Sequence, residues 1–524
     1  MLFNLYRLVC LLALSVSLSA MSGAQTTPRA SWPTRDWPTA TPESQGVASA
    51  QLAAAIEQIR PPRQNIHSLL IVRNGYLITE AYFFPYEGKE PHDLASVTKS
   101  LTATLIGMAI AQGKIKSVQE PLLAFFKGRK FANPDARKEK ITIEHLLTMS
   151  SGLDCAGRGE TALWGMLSAP DNVQYMLDLP VIAEPGSTYG YCSGGMHLLS
   201  AILTQATGMK AEDFALKYLF APLGIQPVKW PADPQGINHG FGNLHLLPRD
   251  LAKLGLLFLN QGKWEDRQLV PAQWIKEATR SHLKTGGAGT SDYGYGWRIP
   301  PPGGLIGFEA GGRGGQQLSV LPSKNTVIVL NGGGYSTGEV MKLLLPALQS
   351  DQPLPENRDA VAKLRGVIAA AAKPPAPLET AKLPELAHQL SGQRFEFTDN
   401  WLGLRALTLT FRQTPGPALA KLEFVPALKQ FQFGTSAKIR GLGVATELRP
   451  VGLYGVPLIT GDGIMGSSVG LKGNWEAERT FVLEYDEIAS TNSYRLRLSF
   501  SETGVEVQAK ERTGLFDEKF AGIR

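Results

Sequence analysis

Two pairs of strand-like segments, far apart in the chain with helical segments between them, constrain the fold more than any other feature. In the first pair, Ser68-Leu69-Leu70-Ile71-Val72 and Tyr76-Leu77-Ile78-Thr79 flank Asn74-Gly75. Asn-Gly accepts the left-handed φ that both central residues of a two-residue turn require, so the run predicts a β-hairpin. In the second pair, Gln317 to Leu321 and Thr326 to Asn331 flank the turn-like tetrad Pro322-Ser323-Lys324-Asn325. Apolar residues recur at helical spacing in Ile143 to Met149, Met196 to Ala206, Ala211 to Leu219 and Arg249 to Leu259, with Gly208 and Gly262 as stop signals. A helix over Val47 to Ile59 precedes the hairpin, and Gly338 to Leu348 closes the region with another. Strands at both ends of a helical middle predict an α+β class, an antiparallel sheet assembled from distant segments and flanked by helices.

Beyond residue 350 the pattern changes. Residues 351–383 carry proline at both ends around an alanine-rich piece, Ala360 to Ala372, and are expected to be a linker. Residues 384–524 then show period-two alternation: Leu407, Leu409, Phe411; Leu422, Phe424; Phe481, Leu483, Tyr485; Tyr494, Leu496, Leu498, Phe500. This predicts a separate all-β, barrel-like domain. At 524 residues and 43% hydrophobic, the chain has ample material for such cores.

The net charge of +6 comes from scattered Lys and Arg, without the basic run or aromatic-basic interleaving of a nucleic-acid binder. Residues 1–24 have the form of an export signal: Arg7, the apolar Leu8 to Leu18, then Ser22-Gly23-Ala24 as a small-residue cleavage site. The expected mature chain, with 25–350 as its first domain, has no later apolar stretch long enough for a membrane span, so a periplasmic or secreted location is expected. Export leaves two cysteines, Cys155 and Cys192, for which an oxidising compartment predicts a disulfide. His239 and His245, six residues apart in a glycine-rich loop, do not have a zinc spacing, and no metal or cofactor is expected.

The chemistry-bearing stretch is Ala95-Ser96-Val97-Thr98-Lys99-Ser100, at the head of the apolar run Leu101, Leu105, Ile106, Met108, Ala109. On a helix, positions i and i+3 share a face, which places Ser96 beside Lys99. A serine hydroxyl needs such a proton acceptor to become a nucleophile, and a helix start offers N–H groups to a developing oxyanion. The motif alone is weak, since roughly one or two Ser-x-x-Lys matches arise by chance in a chain this long. Ser281-His282-Leu283-Lys284 is a second match, followed by Gly286 and Gly287 rather than a helix.

Other stretches add specificity. They are Ile141 to Leu153, a helix running into Ser150-Ser151-Gly152; Pro185-Gly186-Ser187-Thr188-Tyr189-Gly190-Tyr191-Cys192-Ser193; Tyr293-Gly294-Tyr295-Gly296-Trp297; and Phe308-Glu309-Ala310-Gly311-Gly312-Arg313-Gly314-Gly315-Gln316. In this order, over roughly residues 40–350, the chain resembles the serine β-lactamase and penicillin-binding-protein superfamily, in its class C-like branch of esterases, D-amino-acid peptidases and oligoamide hydrolases. The resemblance implies Ser96 as acylated nucleophile, Lys99 as base, and Tyr191 as proton relay in the position of the family's Tyr-x-Asn loop. It also implies that Gly312-Arg313-Gly314 replaces the Lys-Thr-Gly strand motif, and that N–H groups of Ser96 and about Gly315 form the oxyanion hole. Tyr189 and Tyr191 are interchangeable on composition, and Tyr191 is preferred for its place after Pro185-Gly186.

Two departures bear on substrate. Ser193 stands where the family has asparagine, and Gly312 supplies no ammonium for a carboxylate, leaving Arg313 as a partial substitute. The expected substrate is therefore a small neutral ester or amide, or a short peptide. A β-lactamase or D-alanyl peptidase is the first alternative, and a sensor that acylates without turnover the second. Lys284-Thr285-Gly286 spells the missing motif but begins no strand. Gly466-Ser467-Ser468-Val469-Gly470 matches the nucleophile elbow of another hydrolase fold, yet no helix is expected after it, so Ser468 is rejected.

Overall fold

The computed structural model describes residues 31–61, 63–155, 161–286, 290–301, 307–376, 383–400, 402–411, 416–424, 445–453, 455–461 and 467–524. The segment expected to be an export signal, with Arg7 and Leu8 to Leu18, lies outside the described residues, as does Gly466 of the elbow-like motif.

The first domain is built on a seven-stranded antiparallel sheet. Its strands are β1 (Ile66–Arg73), β2 (Tyr76–Tyr82), the short β3 (Asp292–Tyr293) and β4 (Arg298–Ile299), β5 (Phe308–Gly312), β6 (Gln316–Leu321) and β7 (Thr326–Gly332). Their spatial order is β2-β1-β7-β6-β5-β4-β3. Asn74 and Gly75 turn the β1–β2 hairpin with φ of 52° and 84°, the left-handed pair the dipeptide was chosen for. β1 pairs with β7 from the far end of the domain, with Leu70 opposite Val329.

Because β1 and β7 are apolar on both faces, the sheet is covered on both sides. Leu70, Val72, Val327 and Val329 point into a large core with helices α2 (Thr98–Ala111), α3 (Ser193–Thr207) and α4 (Pro248–Leu259). Leu69, Ile71, Ile328 and Leu330 point the other way, into a smaller core with α1 (Ser49–Ile59), α5 (Thr337–Leu344) and α6 (Arg358–Ala371). Alternate residues of one strand serve the two cores, as a period of two requires. Helix α6 falls in the stretch expected to be a linker. Its Leu364, Val367 and Ala371 are buried in the smaller core, so it is a structural layer of the first domain.

The second domain is a closed barrel. Its strands are β8 (Arg394–Phe397), β9 (Leu404–Thr410), β10 (Ala418–Phe424), β11 (Ala445–Leu453), β12 (Leu458–Thr460), β13 (Val469–Ala477), β14 (Thr480–Glu487), β15 (Ser493–Phe500), β16 (Gly504–Glu511) and β17 (Asp517–Ile523). The ring runs β11-β10-β9-β8-β17-β16-β15-β14-β13 and closes where β11 meets β13 in parallel at Gly452–Lys472 and Leu453–Gly473, with β12 attached outside on β13. Leu407, Leu409, Leu483, Leu496 and Leu498 fill the interior.

Candidate active site

The Ser96-x-x-Lys99 motif sits where a 3-10 turn, Ala95–Val97, continues directly into α2. Ser96 therefore precedes the α-helix proper, but the turn keeps it above Lys99. Lys99 Nζ donates to Ser96 Oγ at 2.8 Å and to the carbonyl of Phe241, also at 2.8 Å. Nζ also lies 4.8 Å from the centre of the Tyr191 ring. Ser96 is half-buried and Lys99 only 1% exposed, so the serine keeps some contact with solvent while the amine is enclosed. A hydroxyl, a carbonyl and an aromatic face surround the amine, and the Phe241 carbonyl aims it at the serine.

The turn is strained and braced. Ala95 has φ of 44°, a conformation disfavoured by about 1 kcal/mol or more for a residue with a Cβ. Asp93 Oδ1 accepts from the Ala95 N–H at 2.8 Å, and Thr98 Oγ1 donates to the Ala95 carbonyl at 2.7 Å. The Leu94 N–H donates to Leu244, and His92–Asp93 pairs with His245–Leu246, so the turn is held against the loop that supplies the Phe241 carbonyl.

Strand β5 brings Gly312 to this turn. A Cβ on Gly312 would lie 2.8 Å from the Leu94 carbonyl and 3.0 Å from the Ser96 nitrogen, so only glycine allows the strand this close. The chain then bends through Gly314 and Gly315, with φ of 76° and 93°, to start β6. Gly315 packs on Tyr335, whose hydroxyl donates to the Gly315 carbonyl. Among the glycines of this bend, Gly312 is the one whose Cβ position meets the segment carrying the Ser96 amide.

The sequence profile of the Beta-lactamase family matches residues 63–335, just over half of the 524 residues. The chain belongs to the Beta-lactamase family. Among its relatives, the 6-aminohexanoate-dimer hydrolase of Paenarthrobacter ureafaciens is 24% identical over 222 residues, 40% of this chain and 56% of that protein. Penicillin-binding protein 4 of Amycolatopsis lactamdurans is 26% identical over 284 residues, 46% of this chain and 72% of its own length. The chain thus spans little more than half of the first relative. A solved structure provisionally assigned as a 6-aminohexanoate-dimer hydrolase of Bacillus anthracis superposes with a TM-score of 0.52 at 21% identity, covering 63% of this chain and 91% of that one. That likeness shows the Beta-lactamase fold.

The remaining residues singled out from the sequence fall into place around this centre of the family fold. Cys155 and Cys192 are joined in a disulfide, and Cys192 Sγ also caps α3 by accepting from the Gly195 N–H. The link anchors the loop on which Tyr191 precedes Cys192. Ser193 is buried as the first residue of α3. Tyr189 packs against Tyr293 in a tilted arrangement, ring centres 5.5 Å apart. Arg313 points to the barrel. Its guanidinium donates to Glu511 (3.2 Å), Thr513 (2.9 Å), Asn492 (2.6 Å) and Thr491, all in the barrel.

The competing motifs do not assemble. Ser281 and Lys284 both bond Asp292 Oδ2, each at 2.7 Å, which accounts for their spacing. Lys284-Thr285-Gly286 lies in the same exposed region. Ser468 is followed by strand β13, and its N–H and hydroxyl both donate to the Glu90 carboxylate. Among the described residues, no cluster of three or more His, Cys, Asp or Glu could hold a metal ion. His197 is buried against Asp233, with Nε2 3.0 Å from Oδ2; burial pushes the Asp233 carboxyl up, and hydrogen bonds from His197, Ile237 and Gln235 outweigh it and hold it below its usual value.

Sequence reasoning missed a histidine pair beneath the turn. His67 Nδ1 lies 2.9 Å from His92 Nε2, and His92 Nδ1 lies 2.8 Å from the Asp93 carbonyl. Each ring bonds through neutral imidazole, and burial pushes both pKa values down to about 3, with Arg512 adding to the effect on His67. The signal was faint because the two histidines come from separate strands that meet only in the folded chain.

Proposed function

We propose that this member of the Beta-lactamase family is an exported serine hydrolase that opens a neutral ester or amide through an acyl-enzyme on Ser96. The observation that carries the reading is the 2.8 Å contact between Lys99 Nζ and Ser96 Oγ, next to a strand stripped to glycine at the serine amide. Ser96 Oγ attacks the acyl carbonyl while its proton passes to Lys99. The tetrahedral oxygen takes N–H groups from Ser96 and from the Gly312–Gly315 bend. The leaving oxygen or nitrogen receives its proton through Lys99 and the Tyr191 hydroxyl. Water then cleaves the ester by the reverse sequence, releasing the acid and restoring Ser96. Preorganised donors of this kind are worth roughly 3 to 4 kcal/mol each in the transition state.

The relative named for 6-aminohexanoate dimer supports an amide bond in a short linear substrate. The lack of a lysine on β5 and the commitment of Arg313 to the barrel argue against recognition by a terminal carboxylate. The likeness to penicillin-binding protein 4 favours a second reading, acylation by a β-lactam. A periplasmic or secreted location is supported by the composition of residues 1–24 and fits the disulfide. Mass spectrometry after a fluorophosphonate should place the adduct on Ser96, and a p-nitrophenyl ester should turn over steadily. An adduct elsewhere would end the proposal; cephalosporin hydrolysis exceeding that of the ester would favour the second reading.

A further inference from the structure

The barrel touches the first domain on the two segments that meet at Ser96, the turn that carries it and the glycine bend that approaches it. On one side, Ile488 and Ala489, in the β14–β15 turn, pack on Tyr86, and the Asp93 N–H donates to the Ala489 carbonyl at 2.9 Å, two residues before strained Ala95. Glu90, on the same approach, is held by Ser468. On the other side stands Arg313, whose neighbour Gly312 abuts the Ser96 amide. Its side chain is 18% exposed, and Glu511 opposite it is fully buried. Glu511 is itself fixed: Oε2 accepts from the Thr513 N–H at 2.8 Å, the Thr513 hydroxyl at 2.6 Å and the Leu515 N–H at 3.1 Å. Asn492 accepts from Arg313 and donates to Glu487 at 2.9 Å. Thr491 Cβ lies 3.1 Å from where a Cβ on Gly314 would stand, so the barrel is packed onto the bend itself.

A run of glycines has no side chains of its own to hold its shape, and positive φ at two successive residues leaves it many alternatives when unrestrained. Arg313 is the one residue between Gly311 and Gln316 with a side chain, and the barrel holds that side chain at both terminal nitrogens. We propose that Arg313, with Glu511, Asn492 and Thr491 as its barrel partners, is a positioning residue that fixes the Gly312–Gly315 bend against Ser96. The second domain is then a working part of the active site rather than an appendage. The inference rests on the reading of Ser96 as nucleophile.

The test compares Arg313→Ala, Arg313→Lys, Glu511→Gln and Thr491→Val in the full chain, with Arg495→Ala as control, since the exposed ion pair of Arg495 with Glu476 lies wholly within the barrel. Turnover of a p-nitrophenyl ester is measured at a temperature where circular dichroism shows each variant folded. Arg313→Ala should lower kcat by about ten- to a hundredfold, short of the roughly thousandfold loss of an oxyanion donor removed outright. KM should change by less than about threefold, because a displaced donor is felt most in the transition state. Millimolar guanidinium should restore part of the kcat of Arg313→Ala, a rescue that a purely structural loss would not show. Glu511→Gln and Thr491→Val should fall between wild type and Arg313→Ala, and the control should match wild type. Should Arg313→Ala not fold, Glu511→Gln and Thr491→Val carry the test. Unchanged kcat in folded variants whose Ser96 still takes the fluorophosphonate would overturn the positioning role alone; failure of wild-type Ser96 to be labelled would instead overturn the functional reading beneath it.

Discussion

Ser96 and Ser468 both stand in short motifs that hydrolases use to present a nucleophile, and the two serines end in opposite chemical situations. Ser96 sits in a strained turn ahead of a helix, with an amine at 2.8 Å and a glycine strand at its amide. Ser468 sits ahead of a strand and gives its hydroxyl to the Glu90 carboxylate, where it ties the barrel to the first domain. A serine whose N–H and hydroxyl both go to one carboxylate is a structural fastener. The difference lies in what the fold brings to each hydroxyl, while the surrounding pattern of small residues is common to both.

The comparison is broken most directly by Ser96→Ala, which should lower ester turnover by roughly a thousandfold or more while leaving the thermal midpoint within a few degrees; residual rates near wild type would move the chemistry elsewhere. Gly312→Ala comes next. Its methyl would press on the Leu94 carbonyl and the Ser96 amide, so kcat should fall by about a hundredfold with the protein folded, and full activity would show that the strand does not need this approach.

Acid attacks the support of Ser96 rather than the serine. His67 and His92 have folded pKa values of about 3 against 6.5 in the unfolded chain, so below pH 6.5 the unfolded state binds protons that the folded state refuses. Stability is full above pH 6.5 and declines toward pH 3, by on the order of a few kcal/mol for the coupled pair. Arg512, Asp93 and His245 are the other charged or titratable groups that act on the two rings. Burial pushes Glu487, the last residue of β14, up to about 7 from 4.5, which works in the opposite direction between those values. The steepest loss should therefore appear below about pH 4.5 in urea midpoints taken from pH 7 to 3, and a flat profile over that range would refute it. The smallest effect belongs to Ser468→Ala, expected to leave kcat unchanged and to cost about 1 to 2 kcal/mol of stability through the loss of its bond to Glu90. A collapse of activity at constant stability would reverse the assignment of the two serines.

Much of this was legible in local sequence wherever one residue type answers one backbone demand. Asn74-Gly75 announced the hairpin because both turn residues need positive φ, and the i, i+3 spacing announced the meeting of Ser96 and Lys99. Features made by distant segments left no such mark. The φ of Ala95, the Phe241 carbonyl on Lys99 and the four barrel partners of Arg313 depend on tertiary approach. Strand β13 was hidden because Gly473 breaks its apolar alternation, and the structure supplies the reason: a Cβ there would lie 2.3 Å from the Phe481 ring. Strand β11 was hidden in part by Pro450.

Helix α6 carries a practical lesson for anyone dissecting this chain. Its Leu364, Val367 and Ala371 share one apolar cluster with Leu52, Ile56 and Ile59 of α1. A fragment cut at residue 350, where composition shifts toward proline, would present that cluster to water and aggregate through it; a boundary drawn beyond the helix keeps this layer whole and gives up only what the barrel holds.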